Sequence, residues 1–121
     1  MSFSYHFVFC IAVFFGVGCC EHIKNEAREL VDDQKRCSSE DTCIIVEYYD
    51  AVGPNNCLGP FQCFASLNEN NLGDFEDEAR SLAERFERCN ECTMASCMDP
   101  DTVEPFCDET TGMCDWTKSD Q

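Results

Sequence analysis

Cysteine is the residue type that offers this sequence the most chemistry. Twelve of its 121 residues are Cys, a density at which a short chain reads as a disulfide scaffold. Two chemistries compete for them. Cys89-x2-Cys92-x4-Cys97 has a spacing at which thiolates share a tetrahedral zinc ion, with Cys107 and Cys114 able to complete the shell. Cys89-x2-Cys92 is also a redox-dithiol spacing, but the pair follows a helix pattern, whereas a lowered thiolate pKa needs a helix N-terminus or cationic neighbours. Disulfide bonding uses the same residues without an ion if the chain folds in an oxidising compartment.

The N-terminus predicts that compartment. Residues 7–20 form an unbroken run of fourteen apolar or small residues. A bilayer-spanning helix needs roughly 20, whereas the h-region of a secretory signal is this short. No Lys or Arg precedes the run, only His6 and the terminal amine. A general signal peptidase would cut near Gly18 or Cys19. Gly16-Val17-Gly18-Cys19 resembles instead a bacterial lipoprotein signal, which implies lipidation of Cys19 and a membrane attachment through lipid alone. It departs from that pattern at Gly16, where Leu, Val or Ile is usual. Lipidation of Cys19, or cleavage just after it, leaves Cys20, Cys37, Cys43, Cys57, Cys63, Cys89, Cys92, Cys97, Cys107 and Cys114. That even number can close as five bridges. At roughly 2–4 kcal/mol each, bridges explain the cysteines through folding alone. The chain is therefore expected to be secreted or held at the cell surface.

Other chemistries find little support. With 24 acidic and 8 basic side chains the net charge is -16, and no basic surface exists to neutralise nucleic-acid phosphates. His6 leaves with the signal, so a Ser-His-Asp or Cys-His arrangement would depend on His22 alone. A carboxylate pair for glycoside cleavage cannot be singled out among so many acids. No enzyme and no cofactor are expected. Asp99, Asp101 and Glu104 suit a calcium ion chemically, but the segment lacks the central Gly and distal Glu of a calcium loop. The acids concentrated at 74–78 and 99–109 suit a protein partner with a basic surface; the alternative is that the charge only maintains solubility.

These residues need elements to position them. Residues 21–36 place Ile23, Ala27, Leu30 and Val31 at helical spacing, giving an N-terminal helix or, equally, a solvated arm. Residues 43–49 are β-branched and aromatic and predict a strand. Gly-Pro turns at 53–54 and 59–60 separate it from a second strand, in which Phe61, Cys63, Ala65 and Leu67 share one face. The 46–56 segment between them is a candidate binding loop, because Tyr48 or Tyr49 must face solvent if the strand alternates. A protease inhibitor would use such a loop; the plainer reading is that both tyrosines cover a small core. Residues 74–88 form the clearest helix, with Phe75, Ala79, Leu82, Ala83, Phe86 and then Cys89 on one face. Asp74 is its expected N-cap, and Glu76 with Arg80 and Glu84 with Arg88 lie at i,i+4. Cys89 should then staple this helix to whatever it covers. A hairpin closes the chain, with 109–112 at its tip.

The run Cys37-Ser-Ser-Glu-Asp-Thr-Cys43-Ile-Ile-Val, the cluster Cys89, Cys92 and Cys97, and the closing Cys107…Gly112-Met113-Cys114 resemble a cysteine-rich module of bacterial secreted lipoproteins. The resemblance implies export and a compact bridged domain, and carries no activity with it. The expected organisation is a signal peptide over 1–19, a helix or arm over 20–36, a disulfide-stabilised domain over 37–117 and a tail over 118–121. The expected fold is a small disulfide-rich α+β domain with an antiparallel sheet of about four strands and one amphipathic helix packed on it. Its expected role is that of a non-enzymatic binding module, with protease inhibition or calcium or zinc binding as alternatives.

Overall fold

The computed structural model describes residues 17–53, 57–89 and 96–119. The export segment at 7–16, the Cys19 side chain, residues 54–56 of the candidate loop, and Cys92 lie outside the described residues.

Helix α1 spans Val17–Lys35. Ile23, Ala27 and Val31 recur every fourth residue and are all buried, so the segment is part of the core and not a solvated arm. Helix α3 spans Leu72–Phe86, after a single helical turn, α2, at Tyr48–Ala51. Phe75, Ala79, Leu82 and Phe86 form its buried stripe. The two long helices lie antiparallel, as three contacts at one end show: the Cys20–Cys89 bridge, Arg85 on Glu26 at 3.0 Å, and Lys24 over the Phe86 ring at 5.8 Å. The Cys89 staple therefore joins α3 to α1. Ala27 and Ala79 are fully buried, and their small side chains suit close packing.

Helix α3 starts earlier than its charges suggest. Asn71 occupies the N-cap in the left-handed region (φ 58°), a conformation that Asn tolerates better than most residues. Asp74 consequently sits in the first turn, where its charge still opposes the positive helix end.

Strand β1 (Cys43–Glu47) pairs antiparallel with β2 (Phe64–Asn68), and β3 (Val103–Asp108) with β4 (Met113–Lys118). The small α+β architecture is as expected, but its four strands form two separate ribbons. Alternation along β1–β2 explains the division. Ile44 and Val46, opposite Leu67 and Ala65, face the helices and join the apolar core. Cys43, Ile45 and Phe64 point the other way, toward β3–β4. There Cys43 bonds Cys114, and the Phe64 ring meets Trp116 edge-on at 5.6 Å. The layers are thus helices, first ribbon and second ribbon. Side chains standing out of a pleated plane connect stacked ribbons, whereas one continuous sheet would need backbone bonds.

Turn chemistry closes the second ribbon where expected. Gly112 adopts φ +71° and donates to the Asp108 carbonyl at 2.7 Å, while the Asp108 carboxylate accepts from Thr110 N–H at 3.0 Å. Strand β4 continues through Lys118, one residue into the expected tail. The chain after α1 adds a single bridge to the edge of β4, with Cys37 N–H donating to the Gly112 carbonyl at 2.9 Å.

Candidate interaction surface

Four bridges join described residues: Cys20–Cys89, Cys37–Cys107, Cys43–Cys114 and Cys63–Cys97; Cys57 is bridged as well. The described sulfurs of the zinc-like pattern, Cys89, Cys97, Cys107 and Cys114, are all held as disulfides and offer no thiolate to an ion. Among the described residues, one group of three residues of metal-ligating type converges. It consists of the Cys37, Cys43 and Cys107 sulfurs, all within 4.8 Å of one another. Two bridges therefore lie side by side between the ribbon layer and the α1–β1 connection. Spacing alone could not reveal this juxtaposition, since ten cysteines admit many pairings.

The three carboxylates considered for calcium do not converge in that way. Asp99 turns its carboxylate onto the N–H of Asp101 at 2.9 Å and caps the short 3-10 turn Pro100–Thr102. Glu104 lies beyond that turn on β3. His22 lies on the second turn of α1, where its Nε2 approaches Glu26 at 3.2 Å. Glu26 also receives Arg85, so the imidazole belongs to a helix-to-helix tie.

Tyr48 and Tyr49 part company. The strand ends at Glu47, and Tyr48 opens α2 with its N–H donating to the Cys63 carbonyl at 3.0 Å. The helical turn sends Tyr48 inward: it is 2% exposed, with its ring 5.5 Å from Phe61 and 6.5 Å from Phe75. Burial pushes its phenol well above the usual tyrosine range. Tyr48 is therefore a core residue and cannot touch a partner, whereas Tyr49 is 67% exposed.

The second ribbon, the hairpin expected at the end of the chain, presents an exposed aromatic, Phe106. Its inner face carries Val103, Pro105 and Cys107 opposite Lys118, Trp116 and Cys114. Alternation puts Glu104, Phe106 and Asp108 on the outer face, opposite Thr117, Asp115 and Met113. Phe106 is 40% exposed, with Asp115 directly across the ladder and Glu104 and Asp108 two residues to either side. The signal was present as an acid-aromatic-acid alternation through Glu104, Phe106 and Asp108. It is hard to weigh without knowing which face of the ribbon is covered. The ribbon edges are less inviting than this face. Pro105 withholds one backbone donor on β3, and the Arg36 bridge occupies part of β4. No described helix is long and apolar enough to cross a membrane. Comparison with protein-family models, with curated proteins and with solved structures gives no match, so the likeness to lipoprotein cysteine-rich modules rests on the cysteine spacings alone.

Proposed function

We propose that this protein is an exported, non-enzymatic binding module, secreted or tethered by lipid at Cys19. On this reading it engages a basic protein partner through the outer face of the β3–β4 ribbon. The observation that carries the reading is Phe106, an exposed ring among the carboxylates of Glu104, Asp108 and Asp115 on a face the fold leaves open. An aromatic anchor supplies contact area, and a surrounding charge of one sign selects partners of the other. The net charge of -16 extends the same field over the molecule and would speed encounter with a cationic surface. Protease inhibition through the 46–56 loop retains Tyr49 and loses Tyr48, which is in the core.

Three synthetic peptides test the proposal: alternating Lys and Leu, alternating Lys and Gly, and alternating Glu and Leu. The Lys/Leu peptide should bind, with an association rate that falls steeply from low to moderate salt. Phe106→Ser should weaken it by about tenfold or more, the loss expected of an interface anchor. Equal binding of Lys/Gly, or an unchanged affinity in Phe106→Ser, would remove Phe106 from the site. Failure of both cationic peptides, or preference for Glu/Leu, would overturn the basic-partner reading itself.

A further inference from the structure

The two neighbouring bridges draw on four cysteines that can pair in another way. In the structure, Cys37–Cys107 and Cys43–Cys114 run between layers. Yet the Cys37 sulfur lies within 4.8 Å of the Cys43 sulfur. Cys107 and Cys114 stand directly opposite each other in the β3–β4 register. Opposed residues of an antiparallel pair have Cα atoms about 4.5–5.5 Å apart, inside the range that a disulfide spans. The alternative pairs are Cys37–Cys43, across the turn at 38–42, and Cys107–Cys114, across the hairpin.

We propose that these four cysteines form a thiol-triggered disulfide-exchange site, and that its isomerisation releases the second ribbon from its covalent ties. Cys37 and Cys107 are half-buried, whereas Cys43 and Cys114 are buried, so an external thiol meets the first bridge. A low-molecular-weight monothiol attacks as its thiolate at the Cys107 sulfur, forming a mixed disulfide and expelling the Cys37 thiolate. That thiolate attacks the adjacent Cys43 sulfur, closes Cys37–Cys43 and expels the Cys114 thiolate. Cys114 then attacks Cys107, closes Cys107–Cys114 and returns the monothiol. Each step makes one S–S bond and breaks one; no electrons are gained or lost overall, and the thiol is a catalyst.

The structure also indicates what drives the exchange. Interlayer pairing closes loops of 70 and 71 residues, while the alternative closes two very short ones. In a disordered chain that keeps Cys20–Cys89 and Cys63–Cys97, loop closure alone favours the short pairs by roughly 40-fold. Packing between the ribbons, the Phe64–Trp116 contact included, holds the long pairs in place. Anything that loosens this packing therefore shifts the pairing, and the bridges report on the seating of the second ribbon. This holds whatever partner the outer face binds.

The test uses the oxidised full chain, incubated without oxygen with substoichiometric cysteine as the monothiol, across urea concentrations below the unfolding transition. After acid quenching and alkylation, unreduced protein is cut at acidic residues and mapped by mass spectrometry. Glu40 and Asp41 lie between the first alternative pair, and Asp108 and Glu109 between the second, so each new bridge yields a distinct linked product. The expected result is the paired appearance of Cys37–Cys43 and Cys107–Cys114, rising with urea, while Cys20–Cys89 and Cys63–Cys97 persist. Retention of the original pairs alone, or exchange spreading equally to Cys20 and Cys63, would overturn the proposal. A Cys43→Ala/Cys114→Ala variant supplies a second reading. It should stop at the mixed disulfide, and complete resistance of its remaining bridge to the thiol would rule out the first step.

Discussion

Removing either member of the adjacent bridge pair should cost much less than the length of its loop implies. Cys37–Cys107 and Cys43–Cys114 span 70 and 71 residues, and each taken alone would stabilise the fold by about 4.4 kcal/mol through loop closure. Once one bridge is closed, however, the other completes a far smaller circuit. Cys43 follows Cys37 by six positions and Cys114 follows Cys107 by seven, so the second bridge closes a circuit of about 13 residues and contributes about 2.9 kcal/mol. Cys37→Ala/Cys107→Ala should therefore destabilise by about 3 kcal/mol, as should Cys43→Ala/Cys114→Ala apart from a packing loss at its buried sulfurs. Removing all four should cost about 7 kcal/mol, more than the two variants together, because only then is the circuit of about 35 residues that runs through Cys20–Cys89 also freed. Urea unfolding monitored by circular dichroism provides all three values. Additive costs would refute the redundancy argument, and so would a Cys37→Ala/Cys107→Ala variant that alone loses the full 4–5 kcal/mol. If the four-alanine chain does not fold in water, the single-bridge variants still decide the matter.

Two further outcomes follow from particular side chains. The Tyr48 hydroxyl is buried without a hydrogen-bond partner among the described residues, so Tyr48→Phe should keep the ring packing and raise stability by about 1 kcal/mol. A lower melting temperature would show that the hydroxyl is satisfied in solution. The Asp41 carboxyl is held below its ordinary value of 3.8, first by the Ser38 N–H at 2.9 Å, with Asn70 donating to its other oxygen. A depressed pKa means that the folded state prefers the ionised form. The stabilisation is therefore present above the unfolded value and is lost as pH falls through the folded one. The stability gap between the natural chain and Asp41→Asn should thus narrow below about pH 4. Thermal melts of both proteins from neutral to strongly acidic pH measure it, and a constant gap would contradict the assignment.

What the sequence made legible tracks how local the controlling physics is. The stripe of α3 and the turn at 109–112 depend on neighbours a few residues away, and both appear where periodicity and Gly112 place them. Helix α1 was ambiguous because its stripe is narrow. What makes it part of the core is Phe75, Ala79 and Leu82, more than forty residues downstream. Tyr48 was ambiguous for a related reason. Alternation fixes that neighbouring strand residues face opposite ways, but here the strand ends before the pair, and a helical turn settles which ring is buried. The division into two ribbons and the meeting of Cys37, Cys43 and Cys107 depend on how layers stack, which no window along the chain contains.

The same layering explains why so acidic a chain needs its sulfur in these places. The first ribbon has apolar residues on its helix face and is secured by the common core. The second ribbon has one covered face, and the outer one bears Glu104, Asp108 and Asp115. Those carboxylates repel the rest of a molecule carrying a net charge of -16, and a two-stranded ribbon is marginal by itself. Trp116 on Phe64 and the buried Val103 are modest anchors against that repulsion. Two covalent ties at Cys107 and Cys114 supply what packing lacks, and they hold the ribbon while leaving its outer face to solvent. Had the fold needed the bridges only to strengthen its core, they would serve best between α1, β1 and α3. Of the four described bridges only Cys20–Cys89 joins the two long helices, and two are spent on the layer with the least core beneath it. That placement is what a protein requires if its second ribbon must stay folded while one side of it remains open to a partner.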